Sequence, residues 1–231
     1  MAAQGRVFSG IVPNTGTFGT TTALDMTSGT ISIWLKSLAE NITGAILSTS
    51  NAGFNKGFIF AWESGGFAQR FTFYDGTDWR FSSSIGAETA LAAGWHHLLI
   101  RWTSGTSGAF FLDGAAIGTF TPAALVAPTG ETKTFNLYPS GASTSCEYAE
   151  LAVWSSSLSN GDVAALAAGD SPITIGSPAG YWRFNTAGTT VADEIGSADL
   201  TLSHNVAQSS DGPPVDEPTT DERRMWAFFI H

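Results

Sequence analysis

Apolar residues along this chain recur mainly at every second position, in short runs cut by glycine, serine and threonine. Thr30-Ile31-Ser32-Ile33-Trp34-Leu35-Lys36 is the clearest case. Ile31, Ile33 and Leu35 fall on one face, and Ser32, Trp34 and Lys36 on the other, which is the period of a strand. Runs of the same kind predict strands at 6–11, 44–48, 57–62, 70–74, 79–81, 95–102, 109–112, 134–138 and 146–154. The Thr/Gly-rich stretch 15–22 reads as a loop. Asp75-Gly76 and Asp113-Gly114 each follow an apolar run and predict hairpin turns of the type that needs φ > 0 at both central residues. Helical spacing occurs once. Ser159 and Asp162 make a capping box, Val163, Ala164, Leu166 and Ala167 follow, and Gly169 supplies a left-handed stop, predicting one short helix near residues 159–168. Strand phrases return at 180–185 and 199–202. The pattern predicts an all-β, antiparallel β-sandwich whose inner face includes Ile31, Ile33, Leu35, Phe71, Phe73, Leu98, Ile100 and Leu112.

Composition supports short strands and tight turns. Glycine is abundant at 26 and phenylalanine at 16, while only 13% of residues are charged; helix surfaces need more charge than that. Twenty acidic against ten basic residues give a formal charge of −10, which repels phosphate backbones and argues against a nucleic-acid partner. The lone cysteine, Cys146, permits no intrachain disulfide and reads as a small apolar residue at a strand start. The first residues lack a charged segment followed by an apolar one, and no window approaches the ~18 apolar residues that span a bilayer. The expectation is cytoplasmic synthesis without a signal peptide and no membrane insertion. Residues 1–205 read as the sandwich domain and 206–231 as a linker and C-terminal aromatic arm. Asp211, Asp216, Glu217, Asp221 and Glu222 give the linker the look of a solvated tether. Arg223, Arg224, Met225, Trp226, Phe228, Phe229 and Ile230 read either as a terminal strand completing the sandwich or as an arm that docks on another subunit by strand addition, and the polar tether favours the arm.

Candidate chemistry is sparse. A glycosidase needs two carboxylates aimed into one cleft. Glu147 and Glu150 lie three apart on a strand and are expected to face opposite sides; adjacent Asp193 and Glu194 fail in the same way. No catalytic residues are assigned, and no enzyme is expected. The histidines His96 and His97 should also point to opposite faces, so they make no chelating pair, and no metal site is assigned. One of them is expected on the core side with its ring N–H bonded to backbone. Trp62, Tyr74, Trp79 and Tyr138 lie at or near strand ends, where exposed rings can stack on sugars, although core packing is the better explanation of such positions.

Four phrases resemble the laminin G-like, concanavalin A-like lectin/glucanase jelly-roll superfamily. They are Thr30 to Lys36; Trp95-His96-His97-Leu98 with Leu112-Asp113-Gly114; Cys146 to Ser159; and Tyr181-Trp182-Arg183-Phe184 with Asp193 to Thr201. The third keeps Glu150, Trp154, Leu158 and Ser159 but has Ala149 where the family usually has aspartate. The fourth opens the domain in many members and here follows the helix. The resemblance implies a jelly-roll scaffold for display and binding, with calcium possible through loop acids such as Asp25, Asp75, Asp78 and Asp113. Together these features suggest a structural surface protein, most concretely a bacteriophage virion protein used in capsid decoration or as a tail-associated subunit. Its expected partners are other virion subunits, further copies of itself and cell-surface glycans. The alternatives are a carbohydrate-binding, lectin-like adhesin module and, least favoured, a glycoside hydrolase.

Overall fold

Alternation along the strands becomes two facing antiparallel sheets. The computed structural model describes residues 6–8, 15–37, 44–49, 56–63, 68–81, 94–137, 146–203 and 211–216. In chain order the strands are β1 (Arg6–Phe8), β2 (Gly16–Gly19), β3 (Gly29–Ser37), β4 (Gly44–Ser48), β5 (Phe58–Glu63), β6 (Ala68–Tyr74) and β7 (Trp79–Phe81). Then come β8 (Trp95–Thr103), β9 (Ser107–Leu112), β10 (Ala115–Phe120), β11 (Lys133–Leu137) and β12 (Cys146–Trp154). Helix α1 (Asn160–Ala168) precedes β13 (Gly180–Trp182), β14 (Thr190–Val191) and β15 (Leu200–Leu202). The first sheet runs β1-β12-β3-β8-β9-β10, with β13 also paired to β12; the second runs β14-β15-β2-β11-β4-β5-β6-β7.

Between the sheets lies the main core. Ile31, Ile33, Leu35, Leu98, Ile100 and Phe110 from the first sheet meet Leu47, Phe58, Phe60, Phe71, Phe73 and Phe135 from the second, all buried. Leu112 packs against this core while half-buried. The predicted inner face is therefore the observed one. The buried Trp102 and Trp182 N–H groups are satisfied by backbone: Trp102 donates to Thr27 O at 2.8 Å and Trp182 to Ala198 O at 2.7 Å.

The other face of the first sheet is also covered, so a third layer exists. Leu99, Phe111, Ala152, Trp154 and Tyr181 pack under Val163 and Leu166 of α1 and under Ile173 and Ile175. Helix α1 carries its expected capping box: Ser159 Oγ accepts from Asp162 N, and the Asp162 carboxylate accepts from Ser159 N. Gly169 closes it at φ 106. A Cβ there would also sit 2.0 Å from Pro214 O, because residues 211–216 run directly over the helix end. Asp216 N donates to Gly169 O at 2.8 Å, and Val215 is buried with Trp34, Ala149 and Trp95. Lys36 bonds Asp211 at 3.0 Å. This part of the expected solvated tether is thus a strap docked on the sandwich, held by one apolar anchor that the local charge pattern concealed. The arm, residues 223–231, lies outside the described residues, as do Tyr138, His204 and His231.

Two further local expectations change and one holds. The stretch read as a loop contains β2, which pairs with both β11 and β15. Its single large apolar residue, Phe18, packs against Trp182 with ring centroids 4.6 Å apart and the planes inclined at 60°, so tertiary pairing overrides a weak local signal. Asp113-Gly114 is the expected turn, with φ of 49 and 78. Between β6 and β7, however, Asp75 to Asp78 form a longer loop in which only Gly76 has positive φ. There the Asp75 carboxylate accepts from Thr77 N at 2.9 Å and Asp78 N at 2.8 Å, closing the loop without a two-residue turn.

Candidate functional site

Strand β12 carries the acids that chemistry would need, and a bulge decides their direction. Its pairing to β3 shifts between Ala149 and Ala152, and Glu150 sits at φ 55. The extra residue resets the alternation. Glu147 and Glu150 consequently lie on the same, outer face of the first sheet, not on opposite faces as simple period-two counting gave. They still form no dyad. Glu147 faces Lys36, 3.5 Å away. Glu150 is buried, accepts from the Tyr181 hydroxyl and lies 3.6 Å from Arg183 Nε, which is buried too. Burial, reinforced by the Glu150 charge, holds the Tyr181 hydroxyl well above its ordinary pKa. For Lys36, burial pulls the pKa down, but Asp211 and Glu147 outweigh it and leave the ammonium raised. Asp193 is committed as well: its carboxylate accepts from Tyr181 N at 3.1 Å and Ala198 N at 3.2 Å.

The same bulge settles how the displaced family phrase fits. The edge of β12 is shared, with β1 pairing to Cys146–Tyr148 and β13 to Leu151–Val153. Glu150 turns between the two partners.

The histidines differ as expected in environment, but not in detail. Exposed Asp113 bridges them: its Oδ2 meets His96 Nδ1 at 2.8 Å, and its Oδ1 accepts from His97 N at 2.8 Å. His97 is fully buried, yet on the outer face beside Trp34, and its ring bonds the Ser32 hydroxyl at 2.8 Å instead of backbone. Burial lowers its pKa from 6.5 to about 4, so the ring is neutral at physiological pH.

Three of the four acids named for calcium are engaged elsewhere. Asp25 pairs at 2.6 Å with the buried ammonium of Lys133, Asp75 closes its own loop, and Asp113 binds the histidine pair. Among the described residues, no group of three His, Cys, Asp or Glu side chains is placed to hold a metal ion.

Of the aromatic residues named for sugar contact, Tyr74 and Trp79 are direct cross-strand partners at the end of β6–β7. Tyr74 is half-buried. Trp62 lies in β5 opposite Gln69, toward the other end of that ladder.

Sequence reading missed a groove on the outer face of the first sheet. It has a volume of about 570 Å³ and is lined by Arg101, Ser107, Ala109, Thr119, Thr121 and Ser157, among others. Register builds it. Arg101 pairs with Ala109 and Ala109 with Thr119, so these three form one row across β8, β9 and β10, with the small alanine as floor. Arg101 is fixed at the α1 side: its guanidinium lies 4.9 Å from the Phe111 ring and donates to Leu158 O and Asn160 Oδ1. The signal was available in part, since Arg101 is the only charged residue of its strand apart from the histidines.

Comparison with known proteins places this architecture. A family model described as the concanavalin A-like lectin/glucanases superfamily, of laminin G type, matches residues 13–164. The chain belongs to that superfamily. No curated protein matches it. Among solved structures, a putative carbohydrate-binding protein from Bacteroides ovatus is similar with a TM-score of 0.65 at 11% identity, over 94% of this chain and 62% of that one. A heptameric SAP-like pentraxin from Limulus polyphemus gives 0.53 at 20% identity, over 71% and 82%. At these identities the likeness is one of fold, and it agrees with the concanavalin A-like sandwich described above. Among the described residues, no helix is long and apolar enough to cross a membrane.

Proposed function

We propose that this chain is a non-catalytic module that binds glycans and presents a surface to partner subunits. The observation that carries this reading is the state of the acids on β12 and beside β13. Glu147, Glu150 and Asp193 are each buried and committed to a lysine, to a tyrosine–arginine pair or to backbone N–H groups. Acids spent in this way are not free to flank a scissile bond as the carboxylate pair of a glycoside hydrolase does. Two features favour binding. The groove at Arg101 is polar and falls within the ~300–1,000 Å³ of small-ligand sites. The Tyr74–Trp79 pair, on the second sheet, is the second contact surface we assign to sugars.

The finer setting we propose is the surface of a bacteriophage virion, with the arm residues Arg223 to Ile230 docking on a neighbouring subunit or a second copy. The strap supports this, because Asp216 is held to Gly169 and so anchors the chain ahead of residues 217–231. Glycan-array binding by the full chain, together with unchanged polysaccharide hydrolysis on Glu147→Gln and Glu150→Gln, is the expected result. Hydrolysis abolished by either substitution in a folded variant would make the chain an enzyme and defeat the proposal.

A further inference from the structure

The groove on β8–β10 has a chemistry of its own. Of the five N–H donors of a guanidinium, two are spent on Leu158 O and Asn160 Oδ1, and these bonds fix the plane of the Arg101 fork. Among the described residues, its remaining donors have no hydrogen-bond partner and no acid lines the groove, on a chain whose formal charge is −10. Next to the Arg101–Ala109–Thr119 row, Thr103 pairs with Ser107, so that Ser107 and Thr121 add hydroxyls one step along the same face. Two strand spacings, about 9–10 Å, separate Arg101 from Thr119, and Ala109 leaves the space between them open. One side offers a planar cation and the other hydroxyl groups, across a shallow floor as wide as a sugar ring.

We infer that this groove takes a sugar bearing a single carboxylate, with the carboxylate on Arg101 and the ring hydroxyls read by Thr119, Ser107 and Thr121. An arginine fork matches a planar carboxylate with two parallel hydrogen bonds. One cation within a strongly acidic chain suits one anionic group; a polysulfated chain would bring several negative charges into an unfavourable field. This assignment rests on the glycan-binding reading above and goes further by naming the site and the class of ligand.

An array carrying neutral, sulfated and carboxylated oligosaccharides, probed with the full chain and two variants, tests it. Thr119 is exposed on the edge strand, so Thr119→Glu and Thr119→Lys should both keep the wild-type melting temperature. The wild type should bind carboxylated glycans selectively, as with 3′-sialyllactose over lactose and lactose 3′-sulfate. Thr119→Glu should weaken that binding at least about tenfold, while Thr119→Lys retains or strengthens it. Equal loss in both variants, equal binding of the sulfated glycans, or carboxylate binding indifferent to residue 119 overturns the assignment. Binding confined to neutral glycans overturns it too but leaves the binding-module reading standing, whereas no binding to any glycan defeats both.

Discussion

Lowering the pH from 7 to 4 should unload a specific part of the stability of this sandwich through His97. The ring is sealed between Trp34 and Ser32, with Nδ1 buried and without a hydrogen-bond partner among the described residues. Charging it there has no compensation beyond the nearby Asp113 carboxylate, and burial holds the pKa at about 4 against an ordinary 6.5. The unfolded chain therefore binds a proton between these values that the folded chain does not. Stability is fully present above pH 6.5, falls as the pH drops, and stops falling on this account near pH 4. At ~1.4 kcal/mol for each pH unit of the gap, the loss is roughly 3 kcal/mol. Carboxylates titrate in the same window, so the wild type must be compared with His97→Gln, which keeps a polar group near Ser32. Urea denaturation at half-unit steps from pH 7 to 4 is the assay. The variant should be less stable at pH 7 but lose about 3 kcal/mol less across the range. Parallel stability curves for the two proteins, or an NMR titration of the His97 ring centred near 6.5, would refute the reasoning.

Two further tests address the turn and the strap. Gly114→Val forces a β-branched residue to φ near 78 and places its Cβ 3.0 Å from the Ala167 Cβ, so the melting temperature should fall by an amount equivalent to about 1–2 kcal/mol; no change on calorimetry would contradict the turn. Truncation after Asp216 should leave the melting temperature intact while abolishing self-association or subunit docking in light scattering. Truncation after Gln208 also removes Val215 and the Lys36–Asp211 bridge and should cost roughly 1–3 kcal/mol. Identical melting curves for the two truncations would mean that the strap contributes nothing.

Much of the fold was legible because its causes are local. Alternation from Thr30 to Lys36 and the apolar run after Trp95 specify which residues face inward, since a pleated strand has no other period. The capping box at Ser159 and the turn at Asp113-Gly114 likewise need only neighbours in sequence. The candidate groove was legible only in part. Arg101 stands out as the one arginine or lysine of its strand, but Ala109 and Thr119 do not, and only cross-strand register sets the three in a row.

By itself, then, the sequence determined the antiparallel sandwich, its inner face, the helix and its stop, and the absence of an obvious nucleophile or metal motif. Tertiary structure decided the rest. The bulge at Glu150 turned two acids onto one face, Phe18 made a strand of a Thr/Gly-rich stretch, and Val215 drew a charged segment onto Trp34. Each outcome depends on a partner more than thirty residues away, and short-range propensity carries no information about such a partner until the chain has closed upon itself.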